Sequence, residues 1–408
     1  MSPQKTAIRP AQVLLPLGLG TALSLMGDAT LYTVLPTHTA DAGVTLASVG
    51  LLLGANRAVR LFLNGPVGLA YDRSPRRRLF VPALFIGALS TALYAATSGF
   101  WPLLAGRLLW GLAWSGIWVG GATVILDITT DTDRGRWTGL YQTWFFLGAA
   151  LGSFAGGFFT DLMGYHATLW LGAAVTAAGG LVAHVILPET RDAHRSSRQM
   201  PESTVLPRLR SNKTLWGVAT LQGINRFVTA GVLTATMALL VADRLSTIGL
   251  TLGAATLTGA LMAGRTLLST VAAPLAGTLS DRTGGRWQVM AGSLALGVAS
   301  MLLIAWGWPW AILLGIVLGA ATAGGVQALT ITQTGDLAGQ TQQGRAIGLL
   351  HTAGDLGSAI GPPVAYALLP WIDLAGVYLL CAALFGLGLV VVFWTRTSQP
   401  QVLRHPPN

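Results

Sequence analysis

Twelve apolar stretches punctuate the chain, at 11–36, 46–71, 79–97, 101–126, 138–162, 166–187, 214–241, 248–280, 287–305, 310–333, 346–369 and 374–395. Each is about as long as a helix needs to be to cross about 30 Å of hydrocarbon at about 1.5 Å of rise per residue. Of the 408 residues 52% are hydrophobic and only 10% charged, where soluble domains carry about 25% charged residues. A single water-soluble core does not hide such a surplus. Most of the 52 glycines lie within the stretches, which suits close helix–helix approach in a bilayer. The chain is expected to be an all-α membrane protein with twelve transmembrane helices.

The net charge of +10 raises the question of a nucleic-acid partner, and the positions of the charges answer it. With the N-terminus on the cytoplasmic side, 19 of the 25 Lys and Arg fall in cytoplasmic segments, Arg244 falls in an outward loop, and five lie within spans. This positive-inside pattern predicts a protein integral to the cytoplasmic (inner or plasma) membrane with both termini cytoplasmic. No nucleic-acid partner is expected. Cys381, the sole cysteine, lies in the last span, so no intrachain disulfide forms. Lys5 and Arg9 precede an apolar run as in a signal peptide, but Asp28 follows that run and no A-x-A-like cleavage site is evident. The first span is read as retained.

A polar, basic, Pro-containing stretch, Pro188 to Lys213, divides six spans from six. The expected organisation is a six-helix bundle over 1–187, a cytoplasmic linker over 188–213, and a second bundle over 214–408 with a short cytoplasmic tail. A shift of 209 residues aligns the halves without gaps. Gly68 and Asp72-Arg73 fall on Gly277 and Asp281-Arg282, Asp127 on Asp336, and Gly135-Arg136 on Gly344-Arg345. Gly148 and Gly152 fall on Gly357 and Gly361. One register across loops and spans argues for duplication of a six-span unit, as in secondary transporters.

The basic knots "GLAYDRSPRRR" (68–78) and "GTLSDRTGGR" (277–286) close equivalent spans, two and eight, at the cytoplasmic face. They are either topology signals or, given the recurring Asp-Arg with Gly four residues upstream, an ionic latch. Arg136 and Arg345 are the expected partners of Asp127 and Asp336.

These residues resemble the major facilitator superfamily over nearly the whole chain. The C-terminal knot matches the family's loop signature, and the N-terminal one has Pro75 where the second glycine is usual. "LLAGRLLWG", with Leu103, Arg107 and Gly111, resembles the span-four arginine signature. "GAALGSFAGG" (148–157), with Gly156 and Gly157, resembles the span-five glycine signature of drug–proton antiporters, with Ser153 in place of the proline. "GSAIGPPVA" in span eleven echoes it and keeps Pro362. The resemblance implies the major facilitator fold, rocker-switch alternating access and an exporter of the antiporter type. It also implies a latch role for Asp72, Arg73, Asp281 and Arg282, and a part in proton exchange for Arg107.

A charge at bilayer depth costs about 2.5–3.5 kcal/mol even on insertion scales, so such residues are functional candidates. They are Asp28, Arg57, Arg60, Arg107, Arg226, Arg265 and Asp355, two acids against five bases. Arg60, twelve residues before Asp72, lies about 18 Å from the cytoplasmic end, and Arg265 about 24 Å. Asn56, Arg60 and Asn64 share one helical face. Arginines at these depths clamp a carboxylate or phosphate bidentately, or they satisfy buried carbonyls and pair with Asp28 and Asp355. Both readings stand for Arg57, Arg60 and Arg265.

For proton coupling, Asp355 with His351 one turn before it is one candidate and an Asp28–Arg107 pair another. Making and breaking such a pair alters how readily the carboxylate takes a proton. Asp355 equally suits a helix–helix hydrogen bond. Trp110, Trp114 and Trp118 form a stripe on span four that serves either as an aromatic wall for an amphipathic ligand or as packing. Trp101, Trp306, Trp308, Trp310 and Trp371 fit an aromatic belt. Asn225, Arg226, Gln327, Thr330 and Gln333 add polar lining.

The expected function is proton-coupled efflux of an organic anion or anion-bearing amphipathic molecule. Proton-independent anion uptake or exchange, cationic multidrug efflux, and a non-transporting receptor on a transporter fold are the alternatives. No metal cluster, cofactor, nucleophile triad or nucleotide loop is evident, so no enzyme is expected. The expected partners are a small-molecule substrate, protons and the lipid bilayer, with the chain acting as a monomer.

Overall fold

The structure, a computed structural model, describes residues 10–130, 133–190, 212–245 and 252–397, without the side chains of 339–344 and 396–397. Lys5, Arg9, most of the 188–213 linker and the C-terminal tail lie outside the described residues. Among those described there is no strand. The helices are α1 (Pro10–Val34), α2 (Leu46–Arg73), α3 (Arg76–Ala96), α4 (Phe100–Ile128), α5 (Arg134–Met163) and α6 (Tyr165–Ile186). They continue with α7 (Lys213–Leu245), α8 (Ala254–Thr283), α9 (Arg286–Trp306) and α10 (Pro309–Thr397). Through α9 the helix starts and ends lie within about six residues of the apolar boundaries, because helix length is set by hydrocarbon thickness, whereas α10 runs on over the last three apolar stretches.

Ten described helical stretches are long and apolar enough to cross a bilayer. One of them, Arg345–Thr395, has 51 residues, twice what a crossing needs. It is divided at Asp373, whose φ of 51° is left-handed and whose carboxylate accepts the Gly376 amide at 2.9 Å. An Asp at a turn that caps the next helix is the ordinary way to end one crossing and start another. The 30-residue α8 is also long enough to cross, and the full set is twelve spans.

Two compact units emerge. The first draws on Met1–Met200, Thr234–Leu267 and Pro362–Ala367; the second on Pro201–Leu233, Leu268–Gly361 and Leu368–Asn408.

In the first unit α1 packs on α5 and α6, α3 on α4 and α6, and α2 on α4. The span-five glycines explain the closest of these contacts. A side chain at Gly148, Gly152 or Gly156 would collide with Ala22, Met26 or Thr30, so α5 and α1 meet in matching four-residue steps. The next face of α5 meets α8, with Gly157 against Ala255 and Gly259 of α8 against Ser153. Gly50 of α2 lies against Pro362 and Tyr366 of α10.

In the second unit Gly357 and Gly361 of α10 close on Gly223, Phe227 and Gly231 of α7. Residues Arg226–Leu233 there are wound as a π-helix, a form that appears frequently at functional sites. Gly297 of α9 receives Phe385, and Ser300 and Thr322 bridge α9 to the first crossing of α10 through Gly315 O and Ser293 O. Trp101, Trp306, Trp308, Trp310 and Trp371 are 63–83% exposed.

Candidate functional site

Arg107 has no exposed surface, so each of its donors needs a partner. Nη1 reaches Asp28 Oδ1 at 2.5 Å, Nη2 donates to the Tyr32 hydroxyl at 2.9 Å, and Nε donates to Leu52 O at 3.0 Å. The Tyr32 hydroxyl in turn lies 2.8 Å from Leu53 O and 3.2 Å from Asn56 Oδ1. The Tyr32 ring carries two guanidiniums, Arg107 at 4.9 Å and Arg57 at 5.2 Å from its centroid. Tyr94 of α3, held by Ser90 at 3.0 Å, lies where a side chain at Gly106 would otherwise sit. Four helices therefore meet at one buried ion pair.

Asp28 and Arg107, paired in the sequence reading by depth, are brought together. Asn56 is not on a lining surface: it is 3% exposed and turned into the α1–α2–α4 seam, with its carbonyl group against α4 at Gly111. Tyr32 escaped the sequence reading, although it stands four residues after Asp28 and so on the same helix face.

On α2, Arg57 and Arg60 are half-buried one turn apart. Arg265, on α8, donates to Thr234 Oγ1 at 3.0 Å. In the second unit Gln222, also missed from sequence, joins Gln327 at 3.3 Å and Thr330 at 3.0 Å. Asn225 donates to Ala323 O at 3.3 Å, and its Oδ1 is buried without a hydrogen bond among the described residues. The Arg226 stem lies beside Gly354. Asp355 is 9% exposed and His351 is exposed.

The tryptophan stripe is a stack, Trp110–Trp114 at 6.1 Å and Trp114–Trp118 at 5.9 Å. Trp110 is buried against Gly87 of α3, so its end of the stack belongs to the core. Trp118, half-buried beside Phe145 and Tyr141, holds the accessible end.

The ion pairs at these helix ends differ from expectation. Asp127 pairs with Arg76 at 2.7 Å, not with Arg136, and Asp336 pairs with Arg286, not with Arg345. The arginines that open α3 and α9 stand nearer to the ends of α4 and of the first α10 crossing. Arg136 is exposed and stacks over Trp137 instead. Glu189 accepts the Arg76 and Arg77 amides at 2.8 and 3.1 Å, so the basic knot is tied to the α6 end. Asp72 and Asp281 are exposed and make no ion pair among the described residues. A side chain at Gly68 or Gly277 would meet nothing within 4 Å. Beside this loop Thr130, above all through its hydroxyl, and Trp137 hold the Asp133 carboxyl below the usual carboxylate range.

Among the described residues no group of three or more His, Cys, Asp or Glu side chains is placed to hold a metal ion. The sequence model of the Major Facilitator Superfamily matches residues 17–243 and again 224–408. The chain belongs to the Major Facilitator Superfamily. It is an integral membrane transporter with efflux relatives.

A class E tetracycline resistance protein of Escherichia coli is 27% identical over 425 residues, covering 95% of each chain. A class C tetracycline resistance protein of the same organism is 27% identical over 400 residues, covering 93% of this chain and 97% of that one. Among solved superfamily structures, the human organic anion transporter TETRAN superposes with a TM-score of 0.68 at 20% identity, over 94% of this chain and 100% of that one. A bacterial homolog of the human lysosomal transporter Spinster, inward-facing and occupied, superposes with a TM-score of 0.77 at 14% identity, over 96% and 98%. These two likenesses bear on the fold.

Proposed function

We propose that this chain is a proton-coupled exporter of organic anions or anion-bearing amphipathic molecules, acting as a monomer in the cytoplasmic membrane with both termini inside. The observation that carries the reading is the Asp28–Arg107 ion pair, with the arginine fully buried at bilayer depth. Such a pair costs several kcal/mol to desolvate, an outlay that a purely structural contact does not require. Asp28 takes up a proton when the pair opens and gives it back when the pair closes, and Asp355 with His351 is the second candidate on the proton path.

Arg57, Arg60 and Arg265 supply positive charge for the cargo, with the Trp114–Trp118 face for its apolar part. Asn225, Arg226 and Gln327 form a further polar group. The tetracycline resistance relatives support efflux, and an organic anion transporter with the same fold agrees with the cargo class. The two six-span halves, 1–187 and 214–408, are the moving parts.

Alternating access draws support from an eighteen-residue spacing, which is five helical turns and so one face. Gly50, Gly157, Gly259 and Tyr366 are packed, while Gly68, Gly139, Gly277 and Gly348, each eighteen residues away on the same helix, face open space. These four glycines are the surface that a second state packs, and Asp72, Arg73, Asp281 and Arg282 latch that state.

Purified protein heated with taurocholate, digitoxin or tetraphenylphosphonium tests the cargo class. A ligand that binds only the folded form raises Tm. Stabilisation by the taurocholate anion, followed by proton-driven taurocholate flux in proteoliposomes, is the expected result. Stabilisation by tetraphenylphosphonium alone would overturn it.

A further inference from the structure

Tyr32 occupies a place that neither the ion pair nor the cargo arginines explain. It is 5% exposed, and a buried aromatic of this kind needs no more than one partner for its hydroxyl. Instead the oxygen accepts from Arg107 at 2.9 Å while lying 2.8 Å from Leu53 O and 3.2 Å from Asn56 Oδ1. Its ring is shared by Arg107 on α4 and Arg57 on α2. Arg107 holds the adjoining carbonyl, Leu52 O, at 3.0 Å.

The consequence is mechanical. Leu52 and Leu53 are interior residues of α2, whose carbonyls already serve the helix, and two side chains from α1 and α4 grip them from one side. One turn beyond the grip are Asn56 and Arg57, and Arg60 follows after another. Asp28 fixes one arm of Arg107 and Tyr32 the other, so the charge on Asp28 decides whether Arg107 is shared between the two or is free to lean on Tyr32 alone. Among the described residues, the titratable or charged groups that meet this network are Asp28 on α1, Arg57 on α2, Tyr94 on α3 and Arg107 on α4.

We infer that Tyr32 is a positioning residue that passes the charge state of Asp28 to α2, so that Arg57 and Arg60 are presented to the cargo according to whether Asp28 carries a proton. This rests on the proton-coupled reading above. Tyr32 neither transfers the proton nor needs to touch the cargo. Its hydroxyl is the joint between the two.

The test compares wild type with Tyr32→Phe, which keeps the ring and its cation–π contacts and removes the hydroxyl. Full-length protein in proteoliposomes is assayed with radiolabelled taurocholate, an anion whose own charge is fixed across the pH range. Three quantities are read: affinity by thermal shift, exchange at equal pH on both sides, and flux driven by a pH gradient. The expected result is wild-type affinity and exchange with gradient-driven flux lowered about tenfold or more, the factor that one hydrogen bond to a charged group carries. Asn56→Leu, which leaves Tyr32 in place but removes its second neighbour, is expected to shift the same ratio by a smaller factor, and it serves if Tyr32→Phe fails to fold.

A merely structural Tyr32 would lower all three quantities together or none, and either outcome overturns the inference. If wild-type flux itself ignores the pH gradient, the proton-coupled reading falls and the inference with it. If wild type responds and Tyr32→Phe responds equally, the inference alone falls.

Discussion

Arg107 Nη1 lies 2.5 Å from Asp28 Oδ1, the arginine side chain with no exposure and the aspartate side chain 15% exposed. Removing either charge alone strands the other where water does not solvate it. Arg107→Leu is therefore expected to destabilise the protein by about 3–5 kcal/mol. Adding Asp28→Asn to Arg107→Leu should recover part of that loss, because no uncompensated charge remains. Thermal unfolding of the two single variants and the double variant in detergent measures the coupling. Strict additivity would mean that the pair contributes nothing beyond its separate side chains.

The Asp127 pair makes a sharper contrast. Asp127 is bonded to Arg76 at 2.7 Å with both side chains mostly buried, whereas Arg136 is exposed. Asp127→Asn should cost about 1.5–3 kcal/mol, the range for hydrogen bonds to charged groups. Arg136→Ala should stay within about 0.5 kcal/mol. A large effect of Arg136→Ala would restore the partner that the sequence spacing suggests.

The spans were legible because their signal is local: about twenty apolar residues between polar turns read the same in any tertiary context. The Asp28–Arg107 pair was legible because depth follows from counting residues along a helix. The partner of Asp127 was not, since Arg76 and Arg136 both open helices near the end of α4 and the choice depends on how helix ends are angled. Asn56, expected on a lined face, is buried, and Trp110, open to either a lining or a packing reading, belongs to the core, for a related reason. In lipid a helix is apolar toward its neighbours and toward the membrane alike, so periodicity marks a face without saying what covers it. Tyr32 carried a signal, its place one turn after Asp28, but a lone tyrosine in a span reads as packing until its hydroxyl is located.

Near the C-terminal end of α5, Asp161 caps a helix other than its own. Its carboxylate accepts Thr256 N and Thr256 Oγ1, both at 2.6 Å, and Ala255 N at 3.4 Å, so it satisfies the first amides of α8. Asp161→Ala should cost about 0.5–2 kcal/mol, as loss of an N-cap does. Hydrogen exchange at Ala255 and Thr256 should quicken while the middle of α8 keeps its protection. Unchanged exchange at these two amides would mean that the cap is dispensable.

The Thr130–Asp133 turn supplies a pH dependence. Hydrogen bonds from Thr130 and Trp137 favour the carboxylate and hold its folded-state titration below the ordinary range. A group lowered in this way contributes fully above its unfolded-state value and loses its contribution as pH falls through the lowered, folded-state value. Exchange at the Thr130 amide, which donates to Asp133 at 2.7 Å, should therefore rise above its intrinsic acid trend as the carboxylate protonates. In Asp133→Asn that excess should vanish, and an identical profile in the two proteins would sink the assignment.

Glycines of one helix face separate packing from motion. A side chain at Gly157 or Gly259 would strike backbone, whereas one at Gly68, Gly139, Gly277 or Gly348 would meet nothing within 4 Å. If the uncovered four were idle, leucine at any of them would be harmless or would add up to about 1 kcal/mol of helix propensity. If they form the packed surface of a second state, the same substitutions leave the resting fold intact and block the transition. Gly157→Leu and Gly259→Leu should each lose about 1–3 kcal/mol by overpacking. Gly68→Leu and Gly277→Leu should keep wild-type Tm and reduce flux about tenfold, since about 1.4 kcal/mol against the second state is enough. Wild-type flux in Gly68→Leu and Gly277→Leu would show that these glycine faces never close on anything, and the rocking mechanism would need another surface.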